Sequence, residues 1–168
     1  MDNKVVTTLA RTLARQGAVA IRFNFRGVGG SDGRYDGGEG ELADAVAVVD
    51  WAASRFGGSL PLTVAGFSFG GAVAYRVAAR RKVSALITVA PAIDRIPHGT
   101  SEPDGEWLLI QGSADEIVAP AAVREWAGSH ARAPVQVWLP GVGHFFHGRL
   151  DALSSAVAEF VDFDRTPA

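Results

Sequence analysis

The chain has 168 residues, 48% of them hydrophobic and 20% charged, the balance of a globular protein long enough for one domain with a real core. A formal net charge of -2 excludes the concentrated basic face that a nucleic-acid partner needs, and the lack of cysteine excludes disulfides, thiolate metal sites and cysteine nucleophiles. No apolar run reaches membrane-spanning length, and the first residues lack a signal peptide's apolar core, so a cytoplasmic protein without membrane contact is expected.

Hydrophobic periodicity switches repeatedly between helix and strand styles. Residues 3–16 place Val5, Val6, Leu9, Leu13 and Ala14 at helical spacing, and Gly17 stops the helix. The stretch AVAIRFNF (18–25), rich in β-branched and aromatic residues, reads as a strand. RGVGGSDGRYDGGEG is too dense in glycine for anything but a loop. An amphipathic helix follows over 41–56, then the strand LTVAGF (62–67) and a helix over 70–81, whose closing Arg80-Arg81-Lys82 meets the negative end of the helix dipole. SALITVAPA is a strand, IDRIPHGTSEPDG a polar loop and EWLLIQG a strand. A helix near 119–129, the strand VQVWLP and a last helix over about 149–162 complete the chain. Short apolar strands alternating with helices predict an α/β fold, three layers with a mostly parallel sheet, in a single domain of 1–168.

In such sheets reactive groups collect in loops at the carboxyl ends of the strands. After the strand 62–67, Gly66-Phe67-Ser68-Phe69-Gly70 fits G-x-S-x-G, a strand-to-helix turn that lifts a serine hydroxyl above the sheet. The helix behind it aims its N-terminus at the same spot, so the backbone N–H of Phe69 is positioned for an oxyanion. The bland alternative is a glycine corner whose serine caps the helix. A nucleophilic serine needs a base, and the base an orienting acid. Asp115 lies a few residues beyond EWLLIQG, and His144 sits in Gly141-Val142-Gly143-His144 after VQVWLP. Ser68…Asp115…His144 is the chain order of an α/β-hydrolase triad, with each residue on its own loop.

Asp94 and Glu116 are the rival acids and His147 the rival base; Asp115 and His144 are favoured by loop order and by the closeness of His147 to the last helix. His98 and His130 read as surface residues without metal-ligand spacing, so neither metal nor cofactor is expected. Phe145 and Phe146 read as core or pocket wall. In RGVGGSDG, Asp32 stands where the third glycine of G-x-G-x-x-G belongs, and no G-K-[ST] follows, which removes the nucleotide reading. Arg26, Ser31 and Asp32 are expected to fix that loop through hydrogen bonds.

On RFNFRGVGGSDG, VAGFSFGG, QGSADEIV and GVGHFFHGRL, in that order, the chain resembles the α/β-hydrolase superfamily, in particular small bacterial hydrolases without a lid domain, similar to esterases of the dienelactone-hydrolase-like kind. The resemblance implies a serine esterase with Ser68 as nucleophile, Asp115 as acid, His144 as base and half an oxyanion hole at Phe69. Its substrate would be a small-molecule ester with a small or exposed acyl group. Family members carry strands and a loop rich in His, Pro and Gly before the helix that here begins at MDNKVV; that loop gives the second oxyanion donor. The expectation is a natural protein longer than this chain. In the superfamily's order a further strand separates 18–25 from 62–67, so these two are expected to pair directly, leave a gap or accept a strand from another chain. The exposed edge would invite a homo-oligomer, with a catalytically weak association subunit as the alternative function.

Overall fold

A computed structural model describes residues 3–161. Helix α1 (Lys4–Arg15) starts where the Asn3 side chain accepts the N–H groups of Val5 and Val6 at 2.9 and 3.1 Å, and it turns Val5 and Leu9 inward. Helix α2 (Glu39–Phe56) begins at Gly38, and the buried Glu41 carboxylate accepts the N–H groups of Asp36 and Gly38. Burial pushes the Glu41 carboxyl up, but these backbone donors outweigh it and hold the group below its ordinary range. Then come β1 (Thr63–Phe67), α3 (Phe69–Ala78), β2 (Ala85–Val89), a 3-10 turn at Ile93–Arg95, β3 (Glu106–Gly112), α4 (Pro120–Gly128), β4 (Val135–Leu139) and α5 (Leu150–Phe160).

The four strands form one parallel sheet in the order β1-β2-β3-β4, with register Phe67↔Val89, Val89↔Ile110 and Ile110↔Val137. Side chains alternate across it with the period of two that strand geometry imposes. Ile87, Val89, Leu108, Ile110 and Leu139 meet Val5 and Leu9 of α1 and Leu153 and Val157 of α5. Leu86, Trp107 and Leu109 meet Ala74 and Tyr75 of α3 and Val123 and Ala127 of α4 on the opposite face. Helix α2 packs on α3 through Leu42, Ala45, Val73 and Val77. The result is the expected three-layer α/β/α arrangement.

One expected strand is not formed. Residues 18–25 make no ladder with β1, which among the described residues pairs only with β2. Their composition suits a strand, but a strand exists only where a partner supplies its hydrogen bonds. The segment is tied elsewhere. Ala18 N–H donates to the Leu13 carbonyl, Arg22 to the Thr7 hydroxyl and the Ser31 hydroxyl to the Asn24 carbonyl. Val19, Ile21 and Phe23 remain 63%, 39% and 38% exposed, whereas Phe25 turns inward and meets Phe69 edge-on at 5.4 Å. Of the three outcomes foreseen, direct pairing is therefore excluded.

Candidate active site

The turn from β1 into α3 is set by sterics. Ser68 adopts φ 54° and ψ -120°, a conformation that non-glycine residues rarely take and that costs about 1–3 kcal/mol. It is held there by its own backbone: its N–H donates to the Val89 carbonyl at 2.9 Å, and its carbonyl accepts from Gly71, Ala72 and Ala92. Gly66 makes the sharp turn possible, since a Cβ there would sit 2.0 Å from the Gly70 carbonyl oxygen. Phe69 is the first residue of α3, so its N–H has no acceptor within the helix.

Asp115 follows β3 and His144 follows β4. The Asp115 side chain is buried and fully engaged. One carboxylate oxygen accepts the N–H groups of Ile117 and Val118 at 2.9 and 2.8 Å, and the other accepts from Gln111 Nε2 at 2.8 Å and faces His144 Nδ1 at 2.9 Å. An ionised carboxylate only accepts, so Nδ1 carries the imidazole proton and Nε2 is left as the acceptor for the Ser68 hydroxyl, 3.0 Å away. The imidazole is buried, with its ring centroid 4.9 Å from Phe67 and 5.1 Å from Phe145. Ser68, His144 and Asp115 thus form one continuous hydrogen-bonded chain at the carboxyl ends of β1, β4 and β3, with links of 3.0 and 2.9 Å.

The rivals lie elsewhere. Asp94 is exposed on the 3-10 turn and pairs with Arg95 at 3.3 Å. Glu116 accepts the backbone N–H of His144 at 3.2 Å rather than facing its ring. His147 is exposed beside Phe145, while Phe146 is fully buried. His98 is exposed on the loop after β2. His130, expected on the surface, is half-buried instead in an edge-to-face cluster with Tyr75, Trp107 and Trp126. Its Nδ1 proton goes to the Trp126 carbonyl at 2.8 Å, so Nε2 accepts from the Tyr75 hydroxyl at 2.9 Å. Burial first, and the Glu102 carboxylate second, push the Tyr75 phenol up to about 12. Gln111 was missed; a polar residue closing the apolar run of EWLLIQG was the available signal.

The glycine-rich loop is fixed from α2. Arg26 donates two hydrogen bonds to Asp44, at 2.8 and 2.6 Å, which hold the Asp44 carboxyl below its usual range. Asp32 contributes its backbone carbonyl, which accepts the Gly27 N–H. Arg76, buried in α3, donates to the Gly38 carbonyl at 3.2 Å and to Glu39. Among the described residues, no group of three or more His, Asp or Glu side chains could hold a metal ion, and no helix is long and apolar enough to cross a membrane.

The profile of the family described as X-Pro dipeptidyl-peptidase (S15 family) matches residues 2–112. An uncharacterised protein of Rickettsia prowazekii is 30% identical over 96% of this chain and 72% of its own length. A Xanthomonas campestris protein described as an α/β serine hydrolase without lid superposes with a TM-score of 0.88 at 41% identity, over 100% of this chain and 76% of that one. An α/β serine hydrolase homologue from Coxiella burnetii gives 0.87 at 38% identity, over 96% and 77%. The chain belongs to the S15 family of α/β serine hydrolases.

Proposed function

We propose that the protein is a serine hydrolase that cleaves a carboxylic ester or a related acyl bond, in the cytoplasm, through an acyl-enzyme. The observation that carries this reading is the hydrogen-bonded chain from the strained Ser68 through His144 to Asp115, at 3.0 and 2.9 Å. Ser68 Oγ attacks the carbonyl carbon while its proton passes to His144 Nε2. Asp115 holds the tautomer and stabilises the imidazolium. The tetrahedral oxyanion is met by the Phe69 N–H at the start of α3. The intermediate collapses, the leaving alcohol takes the proton from Nε2, and Ser68 is left acylated. Water, deprotonated by the same nitrogen, then releases the acid and restores the serine. A peptide bond, the substrate of the peptidase that the family's description names, would be cleaved by the same steps with an amine as leaving group.

A fluorophosphonate probe tests this reading. Ser68→Ala should abolish labelling and lower ester turnover by at least a thousandfold. Labelling that persists in the variant removes Ser68 as the nucleophile.

A second reading, association of chains through the sheet edge with little catalysis, is favoured by the outer edge of β1, which has no ladder partner among the described residues, and by the exposed apolar residues of 18–25.

A further inference from the structure

A cleft of about 970 Å³ opens at Ser68 and Phe69 and runs towards α4. Its walls come from both sides of the sheet end: Ile93 and Ile96 after β2, then Ile117, Val118 and Ala122 around the start of α4. Trp126 closes it and is fixed against movement by Trp107 at 5.2 Å, Tyr75 at 5.3 Å and His130 at 4.9 Å. A volume of this order houses a drug-sized group, so the small acyl group expected from the sequence would leave most of it filled with water.

The polar groups at the far end are already partnered. The Tyr75 hydroxyl donates to His130, and His130 donates to the Trp126 carbonyl. The Glu102 carboxylate accepts the N–H groups of Ala131 and Arg132. Among the described residues Arg95 is the one arginine lining the cleft, and it is paired with Asp94, which also lines it. An anionic group entering the cleft would therefore meet two carboxylates and no free guanidinium, whereas an apolar group would displace water from aliphatic and aromatic walls.

Resting on the serine-hydrolase reading, we infer that the substrates are neutral esters with one bulky apolar group, a medium-length alkyl chain or an aromatic ring, bound between Ile96, Ile117 and Trp126, and that esters carrying a carboxylate on that group are rejected. Whether the group belongs to the acyl or the alcohol half of the ester is read from the experiment.

Two ester series are measured on the full chain: p-nitrophenyl acetate, butyrate, octanoate, benzoate and hemisuccinate, and acetate esters of ethanol, octanol and benzyl alcohol. A fully buried methylene is worth about fourfold, and less in an open cleft, so kcat/KM should rise at least tenfold from the smallest to the largest neutral member of one series. The series that rises identifies the half of the ester that enters. Hemisuccinate should be at least tenfold poorer than butyrate. Trp126→Ala should collapse the octyl-to-smallest ratio by several-fold. Ile96→Ser, in a loop where folding is less at stake, should lower the same ratio if Trp126→Ala fails to fold. Fluorophosphonate labelling separates the two levels of failure. A chain labelled at Ser68 that prefers the smallest ester or hemisuccinate overturns this inference alone. A chain that neither labels nor turns over any ester overturns the hydrolase reading and this one with it.

Discussion

Gly66 and Gly70 carry the same letter in the G-x-S-x-G pattern but face different physical demands. A Cβ on Gly66 would lie 2.0 Å from a backbone oxygen, which cannot move without opening the elbow; on Gly70 the nearest atom is a Phe25 ring carbon at 3.9 Å. Gly66→Ala should therefore cost about 3 kcal/mol or more, and Gly70→Ala no more than about 1 kcal/mol, since alanine suits the first turn of α3. Urea denaturation of the two variants checks this, and equal losses would refute the steric account. The pattern and the strand–helix context of Ser68 were legible in the sequence because they are local. Which of its glycines is sterically indispensable was not, because that depends on the path of the chain four residues later. His130 shows the same limit, since its polar neighbours in sequence are not its neighbours in space.

Among the elements, the loops after β3 and β4 are joined by Glu116, whose carboxylate accepts the His144 N–H at 3.2 Å. A hydrogen bond to a charged acceptor contributes about 1.5–3 kcal/mol, and this one ties the His144 backbone to the loop after β3, which on the proposed reading helps hold the imidazole against Ser68. Glu116→Ala is expected to lower kcat about tenfold or more with little change in KM, while Glu116→Gln, which keeps an acceptor oxygen, retains most of the activity. Steady-state kinetics on a short ester decide it; equal loss in both variants would show that the charge, not the tether, matters. The helices and the four strands of the sheet were readable from periodicity, with no end displaced by more than three residues. Segment 18–25 was misread because alternation and β-branching describe side chains, whereas a strand also requires a neighbour's carbonyls and N–H groups. Glu116 was weighed as an acid because sequence adjacency to Asp115 does not reveal which way a carboxylate turns.

For the molecule as a whole, β1 and β4 form the two edges of the sheet. In the segment before α2, Val19, Ile21 and Phe23 are apolar and solvent-exposed, and the outer backbone groups of β1 have no ladder partner among the described residues. Light scattering should show a concentration-dependent dimer or higher species that Val19→Lys with Phe23→Lys returns to monomer; a monomer at every concentration would dismiss association through this edge. The layer order and the three groups above the sheet could be anticipated from the sequence, since each lies just past its own strand. The fate of the edge could not, because it depends on what does or does not lie beside β1. The Ser68–His144 hydrogen bond carries a kinetic consequence of its own. It closes 76 residues of chain, whereas each strand of the sheet simply adds beside the one before it. Sequential strands can dock early at small entropic cost, but the long closure is made only when β4 is in place. On the proposed hydrolase reading, a nascent or partly folded chain would display the serine elbow before His144 reaches it, and reactivity at Ser68 would be a late signature of completed folding.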